Sequence, residues 1–180
     1  LDIPLEESGT VTVKMNPGLA FGTGEHPTTR LCLEWLDQNL PAGARVLDYG
    51  CGSGILSIAA LRLGAHFAWA VDIEKQAVNA TKNNAAINTV SEKIWVGIPT
   101  ALEKVRVDVL VANILANPLE QLASDFSRFV VPGGSLVISG ILESQTERLK
   151  AILSSWFAAF TVGTKEGWVR LSAVRRKISQ

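Results

Sequence analysis

The sequence predicts an α/β fold, a mostly parallel, doubly wound sheet with an antiparallel hairpin at its end. Three observations predict it. From residue 45 onward, short apolar runs alternate with amphipathic stretches of helical length, the pattern of strands joined by crossover helices. The apolar-rich run at 107–111 fits a strand covered on both faces. The last stretch holds two strand-like runs, 160–162 and 168–171, joined by a turn near Gly167.

Each element has its own local signal. Alternation over residues 10–15 predicts a strand, ending at the turn signal Asn16-Pro17-Gly18. A glycine-rich loop follows, Gly18-Leu19-Ala20-Phe21-Gly22-Thr23-Gly24. A helix is predicted from Pro27, a good first-turn residue, to about Leu40, burying Leu31, Cys32, Trp35, Leu36 and Leu40. Val46-Leu47 predicts a short strand, 55–63 a helix apolar nearly all round, 67–71 a strand closing on Asp72, and 74–88 a polar-faced helix. Asn117-Pro118-Leu119-Glu120 reads as a helix start with Asn at the cap, Pro first and Glu third. Leu119, Leu122, Ala123, Phe126 and Phe129 give that helix its core face. Pro132-Gly133-Gly134 predicts a turn into a strand at 135–139, and Leu149, Ile152, Leu153 and Trp156 mark a further amphipathic helix.

A chain of 180 residues, 47% of them apolar, is most simply one domain with a real core. Lys plus Arg equals Asp plus Glu at 17 each, so no global charge points to nucleic acid. The dense basic cluster Arg175-Arg176-Lys177 reads as a solvated tail. Cys32 and Cys51 fit a reducing compartment and lack metal-ligand spacing, so no metal is expected. There is no signal-peptide pattern, and no apolar run approaches the ~18–20 residues that span a bilayer.

In open α/β sheets ligands bind beyond the carboxyl ends of the strands. Asp48-Tyr49-Gly50-Cys51-Gly52-Ser53-Gly54 lies there, between the first strand of the alternating pattern and a helix. Its glycines, Gly50, Gly52 and Gly54, permit a tight turn and a close ligand approach. Asp72 closes the next strand, where a carboxylate can accept both hydroxyls of a ribose. A dinucleotide fingerprint needs GxGxxG. Counted from Gly50 its third glycine falls on Ile55, and counted from Gly52 it falls on Ser57. Asp48 ahead of the glycines fits S-adenosylmethionine better, since it can order the loop and face a cationic methionine end while repelling a pyrophosphate.

The loop Ala112-Asn113-Ile114-Leu115-Ala116-Asn117-Pro118 ends the 107–111 strand at the same crevice. Asn113 is the candidate catalytic residue: its amide oxygen can accept from an amine and aim the nitrogen lone pair, and positioning is most of what methyl transfer requires. The alternative is that Asn113 only satisfies loop backbone. His26 reads as a brace for the following helix start. Cys51 has no base beside it and is no nucleophile.

Four segments together resemble one family. They are the run from Asn16-Pro17-Gly18 through Gly22-Thr23-Gly24-Glu25-His26-Pro27-Thr28-Thr29, then Gly50-Cys51-Gly52-Ser53-Gly54-Ile55-Leu56, then Asn113-Ile114-Leu115-Ala116, then Ser139-Gly140-Ile141-Leu142. They look like the PrmA family of ribosomal protein methyltransferases, over nearly the whole chain. The resemblance implies a Rossmann-like class I methyltransferase fold of seven strands. It also implies S-adenosyl-L-methionine as cofactor and methylation of lysine ε-amines and an N-terminal α-amine on a ribosomal stalk protein. It places cofactor contacts on Thr29, Gly50, Asp72 and Asn113, with Phe21, Thr23 and Gly24 in a loop closing over the methionine. A cytoplasmic location is expected, an organellar homologue remaining open, with no direct nucleic-acid partner and no membrane. Nothing in the sequence selects an oligomeric state. Family members carry a further N-terminal substrate-recognition domain. Residues 1–180 therefore read as the catalytic domain alone, 1–15 being linker or edge strand, and the native substrate stays open. Two rivals remain: a same-fold enzyme acting on nucleic acid or a small-molecule amine, and a cofactor-binding fragment without turnover. Ala116 stands where a base-stacking aromatic would serve the first.

Overall fold

Short β-rich runs become strands because neighbouring strands satisfy their backbone groups, while longer amphipathic runs satisfy their own as helices. The computed structural model describes residues 9–16 and 24–177. In chain order the elements are α1 (Pro27–Asn39), β1 (Arg45–Tyr49), α2 (Ile55–Arg62), β2 (Phe67–Val71), α3 (Lys75–Ile87), β3 (Ile94–Gly97), β4 (Val107–Asn113), α4 (Ala116–Phe129), β5 (Val130–Leu142), α5 (Glu143–Leu153), β6 (Phe157–Lys165) and β7 (Trp168–Arg175). Seven strands form one sheet in the order β3-β2-β1-β4-β5-β7-β6. The first five pair in parallel, and β7 runs antiparallel to both β5 and β6.

The sheet is covered on both faces, so its central strands are apolar on both. Val46 of β1 and Val109 and Val111 of β4 pack with Cys32, Leu36 and Ile58 from α1 and α2. Leu47, Leu110 and Ala112 point the other way, into a core with Leu119 and Phe126 of α4 and Leu149 of α5. Each such Val, Leu or Phe contributes roughly 1.5–3 kcal/mol by leaving water. Strand order reverses between β1 and β4, and their carboxyl ends, Tyr49 and Asn113, open the crevice expected there.

The structure differs from the sequence reading at several places. Residues 10–15 form no strand; the arm 9–16 is tied down by Asn84 of α3 and by Asn88 at its C-cap instead. The seventh strand is β3, a four-residue edge whose Trp95 is exposed, too short to show periodicity. Helix α4 starts at Ala116, capped by Leu115 without a side-chain bond, so Asn117 and Pro118 sit inside its first turn. Proline is tolerated there because first-turn N–H groups have no intrahelical acceptor. Pro132-Gly133-Gly134 lies within β5 as a bulge: pairing passes from Val107↔Val130 to Val109↔Ser135, and Gly133 adopts φ +81. Helix α5 ends at Leu153, leaving Trp156 beyond it and half-buried.

The basic tail is structural too. Arg175 donates from Nε to Ser127 O at 2.9 Å and from Nη1 to Trp156 O at 3.0 Å. Arg176 donates from Nε to Ser154 O at 3.0 Å. These guanidiniums take up carbonyls left over at the ends of α4 and α5, where cations are favoured.

Candidate active site

The glycine loop turns because three residues enter the left-handed region. Gly50, Gly52 and Gly54 have φ of +78, +54 and +81, where a side chain costs roughly 1–2 kcal/mol. A Cβ on Gly50 would run into Ile114, and one on Gly54 would lie 2.7 Å from Thr81 Cγ2. The turn is pinned to β2, with the N–H groups of Gly50 and Cys51 donating to Val71 O at 2.8 and 2.9 Å.

Asp48 lies beneath this loop. It is 1% exposed, and its Oδ2 accepts from Ser57 N at 3.0 Å. It thereby caps α2, whose own cap residue Gly54 has no side chain to offer. Burial pushes its carboxyl up to about 7, the nearby Asp72 adding to the rise and bonds from Ser57 opposing it. Asp48 orders the loop and does not line the cavity above it.

Asp72 does line it. Its Oδ2 accepts from Gly52 N and its Oδ1 from Glu74 N, both at 3.0 Å. The carboxylate therefore joins the glycine loop to the start of α3, and each oxygen keeps a second lone pair for a ligand. The cavity holds about 500 Å³. Gly50, Gly52, Asp72, Glu74 and Gln121 are among its polar lining; Ile73, Pro99, Ile114 and Leu122 are apolar. Ile73 is 81% exposed, an apolar side chain held in water beside the crevice. From the sequence Leu122 is expected on the core face of its helix and Ile114 in the acceptor loop, with no ligand surface expected of either or of Ile73 and Pro99. An isoleucine directly after the strand-end acid was a usable signal for Ile73. Which side of α4 faces the crevice was not readable.

Asn113, the last residue of β4, donates from Nδ2 to Thr29 Oγ1 at 3.3 Å. Thr29 is 1% exposed, and neither it nor Asn113 lines the cavity, whose wall here is the next residue, Ile114. With Nδ2 engaged, Oδ1 is the end of the amide left to accept. Next to it, Ile114 N donates to Ser139 O at 3.1 Å, and a Cβ on Gly140 (φ +88) would collide with the Ile114 carbonyl. A second hollow, about 390 Å³, lies beyond this loop among Leu115, Leu142 and Trp168, and shares Pro118 with the first.

Gly24, at φ +92, packs against Ile55, whereas Phe21 and Thr23 lie outside the described residues. His26 caps α1, its Nδ1 accepting from Thr28 N at 3.3 Å, and its ring stands edge-on to Trp168 at 5.2 Å. Burial pushes both thiols up, that of Cys32 to about 12. Among the described residues no cluster of His, Cys, Asp and Glu could hold a metal.

This strand order, with a glycine turn after β1 and an acid ending β2, defines the class I methyltransferase fold. The family model described as Ribosomal protein L11 methyltransferase (PrmA) matches residues 2–176, and the chain belongs to that family. A Ribosomal protein L11 methyltransferase of Neisseria meningitidis serogroup B is 54% identical over 170 residues, covering 94% of this chain and 57% of that protein. One from Thiobacillus denitrificans is 52% identical over the same shares. The chain thus spans a little over half the length of these relatives. Among solved structures, a ribosomal protein L11 methylase from Lactobacillus delbrueckii subsp. bulgaricus superposes with TM-score 0.82 at 30% identity, over 92% of this chain and 86% of that one. A T. thermophilus 16S rRNA methyltransferase in complex with AdoMet and guanosine reaches 0.72 at 24% identity, over 87% and 45%, and shares the fold.

Proposed function

We propose that this chain binds S-adenosylmethionine beside Gly50, Gly52 and Asp72 and carries a methyl group to amines of a ribosomal protein, L11 in its relatives' names, in the cytoplasm. One observation carries the reading: Asp72, bonded to the cofactor loop, and Asn113, oriented by Thr29, stand at the carboxyl ends of β2 and β4, the two strands that flank β1 and its glycine loop in one sheet. The residues present fit the cofactor. Asp72 has lone pairs for two ribose hydroxyls, the glycines admit close approach, and Ile73 and Pro99 offer apolar surface to a planar base.

S-adenosylmethionine supplies a methyl group on a sulfonium that leaves as a neutral thioether. The chain's own residues position the acceptor. Asn113 Oδ1 accepts an N–H of the amine, which turns the nitrogen lone pair toward the cofactor side. Thr29 holds the amide in that orientation. The amine must be neutral, and with a pKa of about 10.4 only about one lysine in a thousand is so at pH 7.4. The apolar hollow of Leu115, Leu142 and Trp168 raises that fraction by disfavouring the ammonium. No side chain is needed as a base: His26 serves α1 and Asp48 serves α2, and water takes the proton.

Substrate contacts that bring the ribosomal protein to this site belong, in this reading, to the part of the relatives that lies outside the matched segment. Incubation with isotopically labelled cofactor, followed by mass spectrometry, tests the function. Label on lysine or N-terminal amines of L11 supports it. Label on RNA alone would replace it with the nucleic-acid alternative.

A further inference from the structure

Helix α3 and its C-cap residue carry three buried polar side chains on one face, Thr81, Asn84 and Asn88, spaced one turn apart and 0%, 2% and 6% exposed. Both asparagines spend their hydrogen bonds on backbone, and Thr81 divides its own between backbone and the Cys51 thiol. Thr81 Oγ1 donates to Gly52 O at 3.0 Å. Asn84 Nδ2 donates to Ser53 O at 2.8 Å, while its Oδ1 accepts from Asn16 N at 3.0 Å. Asn88 Oδ1 accepts from Lys14 N at 2.8 Å, and its Nδ2 donates to Lys14 O at 2.7 Å. Asn88 thus acts as a strand partner for Lys14, replacing the ladder that arm 9–16 lacks.

Asn84 does something different. Its planar amide is bonded at one end to the glycine loop and at the other to the arm. The two backbone groups it holds cannot shift independently without breaking one bond. Gly52, next to Ser53, lines the cofactor cavity and is bonded to Asp72. Asn84 itself does not line that cavity, so any influence it has on the cofactor passes through Ser53.

We propose that Asn84 is a positioning residue that couples occupancy of the cofactor cavity to the order of the arm at Asn16. The proposal rests on the cofactor reading above. A ligand that fixes Gly52 and Ser53 fixes the Ser53 carbonyl, and through the amide it fixes the Asn16 N–H. By linkage, loosening the arm weakens cofactor binding by the same factor.

Amide hydrogen exchange at Gly52 and Asn16, with and without S-adenosylhomocysteine, tests this in the unaltered chain. Ligand is expected to slow exchange at both, Asn16 by about 5–150-fold, the usual range of coupling between sites. In Asn84→Ala, Gly52 should still respond and Asn16 should not. Cofactor KM should rise by the lost factor while kcat at saturation holds, a split that general loosening of the fold would not produce. In Asn88→Ala the response at Asn16 should persist. An unaltered chain in which Gly52 is protected and Asn16 indifferent overturns the coupling and leaves the cofactor site standing. One in which neither responds overturns both.

Discussion

At the scale of single residues, two carboxylates with similar sequence settings do different work. Asp72 sits at a strand end with lone pairs to spare, whereas Asp48 is buried under the loop and committed to Ser57. Asp72→Ala should weaken S-adenosylhomocysteine binding by about 1.5–3 kcal/mol, the scale of hydrogen bonds to a charged group. Titration calorimetry reads this directly, and unchanged affinity would remove Asp72 from the site. For Asp48 the effect is on stability. Its folded pKa is raised from 3.8 to about 7, so between those values the folded state holds a proton that the unfolded chain has lost. Its contribution is therefore fully present below about pH 4 and declines as pH rises through 7. Asp48→Asn keeps an acceptor for Ser57 and removes the titration. The melting temperature of the variant relative to the parent should climb between about pH 4 and 7 and then level off; a flat difference would mean an ordinary carboxyl. Asn113→Ala should lower kcat and kcat/KM together with little change in cofactor affinity. Thr29→Val should do the same more weakly, since it frees the amide without removing it. Collapse of cofactor affinity at unchanged turnover would instead make Asn113 a cofactor clamp.

At the scale of elements, the loop between β1 and α2 is shaped by what surrounds it as much as by its glycines. Gly54 combines φ +81 with a Thr81 methyl in the space a Cβ would take. Gly54→Ala should therefore destabilise by more than the roughly 1–2 kcal/mol of a left-handed alanine. Thr81→Ser, which removes that methyl and keeps the bond to Gly52 O, should recover only part of the excess in the double variant, since Thr81 Oγ1 would still stand 2.9 Å from the added Cβ. Denaturant melts of the four proteins measure it, and strict additivity would show that no clash exists. The arm and β3 make the complementary point. Residues 10–15 alternate as a strand would, yet they pair with no strand, and Asn84 of α3 with Asn88 at its C-cap takes the place of one. Ile94–Gly97 has almost no pattern and is a strand because β2 offers it an edge.

At the scale of the whole molecule, every described strand joins one sheet covered on both faces, and the crevice is built from the strand ends together with the first turns of α4. This chain by itself should fold and bind S-adenosylhomocysteine. It should methylate L11 more slowly at low substrate than a chain spanning its relatives' full length, because remote contacts supply binding energy that positions the amine. Equal rates would locate substrate recognition within these 180 residues.

What the sequence by itself determined was whatever depends on neighbours along the chain. The helix at Pro27 with its His26 brace, the glycine turn, the strand-end Asp72 and the strand leading to Asn113 all carry local signals in period, capping or backbone freedom. The family resemblance rested on those same segments. Only the tertiary structure decided the pairings across the chain. Thr29 meets Asn113 from 84 residues away, Asn84 reaches both Asn16 and Ser53, and Arg175 closes α4. The inward turn of Asp48 belongs here as well, as does the apolar side of the cavity at Ile73, Pro99 and Leu122. The reason is physical: a side chain's local spacing says which face it shares, but its hydrogen-bond partner and its share of solvent are set by elements brought together only when the sheet closes.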